Sequence, residues 1–335
     1  VIEGGTGTAV AVNANGVTLA GFTLNGATGV SDATFEGLVL KNNIINAAAM
    51  GISVTGLATT ATDGLTIQDN CIALSSQMAG SNPTTGIFLN DISGTTAATI
   101  SGNNLTGGFY GYLTYALNTT PKSTITGGTI SGFMQGIAAI NVNPSTGITF
   151  APSDFGISDI SMSGFTGNYP ANPNNNFHAG VYVFTGGSNV TDLITATVHN
   201  VSVTGTGKIQ QDCAGLSFAD FSAPGSGTMQ NITVTGATLT DNKNRAINVR
   251  GAAIVDIGTS TLVNNGFDPF GTGGNDGFGI ISRMGAHVSV HNNFITNPAS
   301  QAGYSVTALA SDVNAVVIAT NNSILNNGNA SGRLA

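Results

Sequence analysis

Two arginines occupy matching places in a short segment that recurs along the chain. Arg250 ends "AINVR" (246–250) and Arg283 ends "GIISR" (279–283). Aromatic residues stand at related places in other copies of the segment: Phe88, Tyr115, Tyr182 and Phe184. Aromatic rings next to guanidinium groups suit the binding of a sugar chain, especially an acidic one. Asn248, two residues before Arg250, is the remaining candidate ligand-binding residue.

Cleavage of an acidic sugar chain by elimination would require a base near C5 of the sugar and cations that stabilise its carboxylate. Arg250 and Arg283 are the candidates for these roles, with His178 or Lys243 as a helper. Hydrolysis instead requires two carboxylates about 5–9.5 Å apart. The chain has two Glu and 14 Asp, widely scattered, so the residues favour a lyase over a hydrolase. We expect no cofactor and no metal site, and Ca²⁺ only for a lyase, held by Asp220 or Asp276.

One four-residue segment recurs along the whole chain. Its first residue is small, its second and fourth residues are apolar, and its third can be any residue. We call these copies the anchors: "GISV" (51), "GIFL" (86), "GYLT" (111), "GIAA" (136), "GVYV" (180), "GLSF" (215), "AINV" (246), "GIIS" (279) and "GYSV" (303). Two further short strands follow an anchor before a loop returns to the next one. Three strands per roughly 30 residues, each with a period of two, predict a coil that adds one strand to each of three sheets.

The turn between the second and third strands of each coil is the most specific feature of the repeat. Six asparagines fall at this turn or within one residue of it: Asn43, Asn70, Asn103, Asn200, Asn292 and Asn321. Gly128, Gly236 and Thr259 fill the turn on other coils. Asn and Gly tolerate the positive φ of a tight bend, and stacked Asn side chains can hydrogen-bond from coil to coil. We therefore predict a short turn lined with Asn.

This pattern resembles the right-handed parallel β-helix, or pectin-lyase-like, superfamily, and most of all its secreted surface and adhesin-type members. The resemblance covers residues 17–323 and rests on the anchors and the Asn turn. It implies an all-β fold, a right-handed single-stranded parallel β-helix (solenoid) of about 10–11 coils with three parallel sheets. The superfamily includes lyases, hydrolases, epimerases, tailspikes and adhesins, so the fold does not choose among functions.

Composition bears on the choice of function. Gly, Asn, Ser and Thr together make up 154 residues, or 46% of the chain, which coil turns and solvated strand faces require. Charged residues are only 7%, and the net charge of −8 argues against nucleic-acid binding. No apolar run is long enough for a membrane helix. Cys71 and Cys213 lie four to five coils apart, roughly 20 Å at the strand spacing, so we predict two free thiols.

The scarcity of ionisable groups favours a non-catalytic protein. We expect an extracellular or cell-surface β-solenoid with a structural or adhesive role, as in a surface or fibre protein. A polysaccharide lyase, or another carbohydrate-active enzyme of this superfamily that acts on an acidic glycan, is the alternative. Residues 1–335 are expected to form one β-helix domain within a longer chain, with uncapped ends open to end-to-end self-association. A polysaccharide or cell-surface glycan is the other expected partner.

Overall fold

The structure is a computed structural model, and it describes most of the chain. The described residues are 1–33, 36–56, 64–80, 82–142, 152–168, 177–187, 193–210, 212–222, 227, 229–268, 277–297, 306–312 and 314–326. These residues form strands, turns and bends, and no helix among them has the length and apolar character needed to cross a membrane.

The strands of these residues are, in chain order, β1 (Ile2–Glu3), β2 (Thr8–Val12), β3 (Thr18–Ala20), β4 (Thr23–Ala33), β5 (Val39–Lys41), β6 (Ile44–Thr55), β7 (Thr66–Gln68), β8 (Cys71–Leu74), β9 (Met78–Ala79), β10 (Asn82–Pro83), β11 (Thr85–Asn90), β12 (Ile92–Gly94), β13 (Thr99–Ser101), β14 (Asn104–Thr106), β15 (Tyr110–Thr114), β16 (Leu117–Thr126), β17 (Thr129–Ser131), β18 (Gln135–Val142), β19 (Ser153–Ser158), β20 (Ser161–Ser163), β21 (Ala179–Gly187), β22 (Ile194–His199), β23 (Ser202–Thr204), β24 (Ala214–Ser222), β25 (Gln230–Thr235), β26 (Thr238–Thr240), β27 (Arg245–Gly251), β28 (Ile254–Gly258), β29 (Thr261–Val263), β30 (Gly277–Arg283), β31 (His287–His291), β32 (Phe294–Asn297), β33 (Val306–Ser311), β34 (Val316–Thr320) and β35 (Ser323–Asn326).

These strands wind into a parallel β-helix with three sheets, as the repeat predicts. The anchor sheet stacks β2, β4, β6, β11, β15, β18, β21, β24, β27, β30 and β33 in parallel. The second sheet stacks β3, β5, β7, β13, β16, β19, β22, β25, β28, β31 and β34. The third sheet runs from β1 to β35, and β4 and β6 pass from it into the anchor sheet without a break. Eleven coils are present in the described chain, which confirms the predicted fold class.

One continuous apolar core fills the inside of the helix. Like positions of successive anchor strands stack in register, so that Ile87, Tyr112, Ile137 and Val181 form part of one inward column and are at most 2% exposed. Each such side chain contributes about 1.5–3 kcal/mol through its removal from water. Because one coil cannot cover its own apolar face, the stack supplies the core.

The small residue that opens each anchor is required by close contact between coils. A Cβ added to Gly86 would lie 2.6 Å from the carbonyl oxygen of Gly111, and one added to Gly136 would lie 2.5 Å from that of Gly180. Such distances are too short for any side chain, so the anchor glycines let successive backbones approach at this edge of the sheet.

The turn between the second and third sheets has two positions with different roles. The first residue has positive φ and faces solvent, as Asn42 (54°) and Asp69 (55°) do. The second points inward, and here Asn43, Asn70 and Asn103 form a buried ladder. Asn43 Nδ2 donates to Asn70 Oδ1 and Asn70 Nδ2 donates to Asn103 Oδ1, both at 3.0 Å.

Asn200, Asn292 and Asn321, which the sequence also assigned to the Asn turn, lie at its first position instead. They are exposed and have φ of 51°, 56° and 54°. The inward neighbours of the last two are Asn293 and Asn322, and they form a second ladder in which Asn293 Nδ2 donates to Asn322 Oδ1 at 3.0 Å. The difference arises because Asn suits both positions, through its tolerance of positive φ at one and its amide at the other.

A third ladder lies at the turn that follows the third sheet, which the sequence reading did not identify. The Thr206 hydroxyl donates to Asn242 Oδ1 at 2.9 Å, and Asn242 Nδ2 donates to Asn265 Oδ1 at 2.8 Å. Asp241 and Asn264, with φ of 53° and 54°, precede the two asparagines. The same two-position arrangement therefore serves two corners of the coil.

Candidate functional site on the outer face of the anchor sheet

Outward side chains of the anchor sheet form rows that run from coil to coil. The middle row contains Phe88, Leu113, Ala138, Tyr182, Ser217, Asn248 and Ile281. The row two residues further on contains Ile140, Phe184, Ala219, Arg250 and Arg283. The structure thus places the predicted aromatic and arginine residues on one face, and Arg250 and Arg283 are register partners on adjacent coils.

This face is more covered than its outward direction suggests. Tyr182 is 2% exposed and Asn248 is fully buried, whereas Phe88, Tyr115 and Phe184 are half-buried. Several of these residues belong to a second apolar cluster, separate from the helix core, that includes Tyr110, Phe177 and Cys213. The outer face is therefore a packed surface, and its accessible part consists of the edges of half-buried rings and guanidinium groups.

The aromatic residues of this face form two groups. Phe88 and Tyr115 meet edge to face, with ring centroids 5.3 Å apart. Tyr182 and Phe184 stack with centroids 5.8 Å apart, and Phe221 lies 6.2 Å beyond Phe184. Such contacts hold the rings in place, and only the half-buried Phe88, Tyr115 and Phe184 among those predicted have edges available to a ligand.

Three charged side chains meet beside the second aromatic group. Asp212 Oδ2 accepts a hydrogen bond from Arg250 Nη1 at 2.9 Å, and Asp212 Oδ1 lies 3.5 Å from Arg245 Nη1. The Arg250 guanidinium also lies 5.0 Å from the centroid of the Phe221 ring. Burial lowers the pKa of Arg245 to about 10, with the positive charge of Arg283 as the next cause. The structure therefore places two guanidinium groups on one carboxylate.

Arg245 and Asp212 were not identified from the sequence. Arg245 directly precedes the anchor "AINV", at a place where Tyr110 and Gln135 stand in other coils. The sequence offered one signal for Arg245: a charged residue directly before an anchor, two residues before an isoleucine that points inward. Asp212 follows Gln211 in an irregular stretch, and nothing in the repeat marks it.

The predicted catalytic helper His178 is occupied by bonds within the protein. It is 4% exposed, its Nδ1 accepts a hydrogen bond from the Gly207 N–H at 2.9 Å, and its Nε2 lies 3.0 Å from the Gly167 carbonyl oxygen. Burial lowers its pKa, and the nearby charge of Lys243 acts in the same direction. His178 thus stabilises the strands around it in its neutral form.

The other predicted helpers are also bonded within the chain. Lys243 Nζ lies 3.9 Å from Asp268, which also pairs with Lys208. The buried carboxylate of Asp220 accepts hydrogen bonds from Thr185 Oγ1 at 2.7 Å and from Ser222 Oγ at 2.6 Å. Asp276 lies outside the described residues, as do residues 269–275 before it. The described part of the chain contains no group of three or more His, Cys, Asp or Glu side chains that could hold a metal ion.

Comparison of the sequence with models of protein families, with curated proteins and with solved structures gave no match.

Proposed function

We propose that this chain is an adhesive or structural β-solenoid of the pectin-lyase-like type, extracellular and non-catalytic, and that the outer face of its anchor sheet binds an acidic glycan. The observation that carries the binding is Arg283. It is half-buried, it is the register partner of Arg250, and the described residues contain no ion-pair partner for it. A guanidinium group that has no carboxylate partner among the described residues suits a sugar acid, because it can pair with the sugar's carboxylate while the half-buried rings of the same face contact the sugar.

The charge distribution supports the same proposal. Five of the eight basic residues, Lys208, Lys243, Arg245, Arg250 and Arg283, lie within 76 consecutive positions, although the whole chain carries a net charge of −8. The same 76 positions also contain six aspartates and so carry a net charge of −1, a smaller share of negative charge than the rest of the chain carries, which lowers the repulsion of an anionic chain there. Lower repulsion raises the association rate, and this effect weakens as salt is added.

Titration calorimetry tests the proposal by measuring the binding of oligogalacturonate, alginate fragments and heparin fragments. Neutral methyl-esterified oligogalacturonate serves as the matched ligand. We expect the acidic chains to bind. Arg283→Gln should lower their affinity about tenfold, which is the loss typical of one charge-assisted hydrogen bond. Lys122→Gln on the second sheet removes the same charge from an exposed ion pair and is the control. Equal affinities for acidic and neutral chains would overturn the proposed glycan class.

The surface role is tested separately by electron microscopy of native material and by the full open reading frame. Filaments or a cell-surface layer, together with an export signal, are the expected findings. Discrete particles confined to the cell interior would contradict an extracellular role.

A polysaccharide lyase acting on an acidic glycan is the second candidate, and the observation that favours it is that Arg245 and Arg250 meet at the carboxylate of Asp212, because elimination requires cations that stabilise the sugar's carboxylate. Elimination would remove the C5 proton, cleave the glycosidic bond and leave a double bond that absorbs ultraviolet light. Steady appearance of that absorbance, lost in Arg245→Lys, would replace the adhesive role by the lyase role.

A further inference from the structure

Two fully buried polar side chains on the anchor face lack hydrogen-bond partners among the described residues. They are Ser217, through its Oγ, and Asn248, through both Oδ1 and Nδ2. The Nε atoms of Arg245 and Arg250 are also buried without an acceptor in the described part of the chain. Each buried polar group without a partner costs about 1–3 kcal/mol, so such a concentration within one site requires an explanation.

These atoms face the same place. Ser217 and Asn248 are register partners on adjacent coils, about 4.8 Å apart at the spacing of the strands. Arg245 and Arg250 lie on either side of Asn248 along the same strand, and both reach the carboxylate of Asp212. The two guanidinium groups must therefore converge above Asn248.

The charge and the donors of this cluster define its ligand. Two arginines and one aspartate carry a net charge of +1, and Arg283 adds a further positive charge that already acts on Arg245. The free donors are three guanidinium nitrogens (Nε and Nη1 of Arg245 and Nε of Arg250), one amide N–H₂ and one hydroxyl, which suit the oxygens of a carboxylate. Asn248 Oδ1 and Asp212 Oδ1, which also lacks a hydrogen-bond partner among the described residues, are the exceptions, because both can only accept, and they require a hydroxyl donor next to that carboxylate.

We propose that Ser217, Arg245, Asn248 and Arg250 form a binding site for a hydroxycarboxylate, whose carboxylate accepts from the arginines and whose hydroxyl donates to Asn248 Oδ1. The half-buried rings of Phe184 and Phe221 lie next to this cluster, with the Phe221 ring 5.0 Å from the Arg250 guanidinium. The chemistry is the same in a free hydroxy acid and in the uronate residue of a glycan. This site goes beyond glycan binding, since a free hydroxy acid satisfies it without any sugar chain.

Titration of the full chain with glycolate, acetate and sodium chloride at equal ionic strength tests the site, with the thermal midpoint and calorimetry as readouts. We expect glycolate to raise the midpoint with a saturable affinity at least several-fold tighter than that of acetate, and chloride to act only as a salt. Asn248→Leu, an apolar side chain of similar shape, is expected to weaken glycolate at least tenfold. Ser217→Ala, a smaller change that tests the same site if the leucine variant does not fold, is expected to weaken glycolate several-fold.

Three outcomes would overturn the site: glycolate that binds no tighter than acetate, a midpoint that responds to glycolate and chloride alike, or Ser217→Ala with the glycolate affinity of the unaltered chain. Oligogalacturonate shows whether the ligand is a free hydroxy acid or the uronate residue of a glycan. Binding of glycolate without binding of oligogalacturonate would sustain this site and refute the proposed glycan function. Binding of oligogalacturonate that is unchanged in Asn248→Leu, together with any one of these three outcomes, would sustain the glycan function and refute this site.

Discussion

Replacement of Asn70 by alanine removes four hydrogen bonds from the centre of the first ladder. Asn70 Oδ1 accepts from the Asn43 N–H at 3.1 Å and from Asn43 Nδ2 at 3.0 Å. Its Nδ2 donates to the Leu40 carbonyl and to Asn103 Oδ1, both at 3.0 Å. The alanine variant therefore leaves two donors of Asn43 and the carbonyl of Leu40 without their partners. At about 1–3 kcal/mol for each orphaned group, with some relaxation, we expect a loss of about 3–5 kcal/mol in the free energy of unfolding.

Asn292→Gly is the matched control, since Asn292 occupies the first position of an equivalent turn. It is exposed, with φ of 56°, and glycine accepts that conformation freely. We expect the free energy of unfolding of this control to lie within about 1 kcal/mol of that of the unaltered chain.

Guanidinium chloride unfolding followed by circular dichroism measures both variants. The midpoint should fall in Asn70→Ala while the slope stays unchanged, because the surface exposed on unfolding is the same. If Asn70→Ala is destabilised no more than Asn292→Gly, buried ladder bonds do not hold the coils together and the reasoning fails.

Three further predictions concern packing, titration and thiol chemistry. Gly136→Ala places a Cβ 2.5 Å from the Gly180 carbonyl oxygen, so we expect at least about 2–3 kcal/mol of destabilisation in the same denaturation assay. Burial raises the pKa of Asp32 from 3.8 to about 6, so the free energy of unfolding should fall as the pH rises from about 4 through 6. Asp32→Asn should reduce that fall, and part of it should remain because burial also raises the pKa of Asp91. Cys71 is exposed, whereas burial raises the pKa of Cys213 to about 11, so a thiol reagent should label one cysteine in the native protein and both in denaturant; two labelled native thiols would contradict the buried position of Cys213.

The coil was predictable because its skeleton repeats in residue types that have one physical use. A small residue before an alternating apolar segment is needed wherever Gly86 meets Gly111, so the anchors marked the strands of one sheet directly. Loop length varies between coils without altering the stack, and the irregular spacing of the anchors therefore did not obscure the fold.

The inward position of the turn was only partly predictable, since one residue type serves two purposes. In the pairs Asn292–Asn293 and Asn321–Asn322, sequence alone does not say which amide faces the core. At Asn200 the inward neighbour is Val201, so an asparagine at the turn does not imply a ladder. The register of the following strand decides the matter, because a shift of one residue reverses which side chain is buried.

The outer face was predictable in direction but not in its contacts. The alternation of strand residues gives the rows that contain Tyr182, Asn248 and Arg250. It does not give the partners of these side chains, because Asp212 comes from an irregular segment between strands and reaches Arg245 and Arg250 only in the folded chain. Burial of the face likewise depends on segments that lie outside the repeat.

The spacing of the side-chain ladders along the rod bears on its mechanics. One set links the coils of Asn43 to Asn103, and the others link the coils of Thr206 to Asn322. At the two corners of the coils between them, the inward side chains include the apolar Ile160 and Phe165, which cannot form such links. The side-chain bonds that join these coils at their corners are solvent-exposed, as where Asn200 Nδ2 donates to Asp159 Oδ1 at 2.6 Å. Under tension along the axis, we expect the stack to part first in this stretch, because exposed bonds exchange with water more readily than the buried ladders on either side.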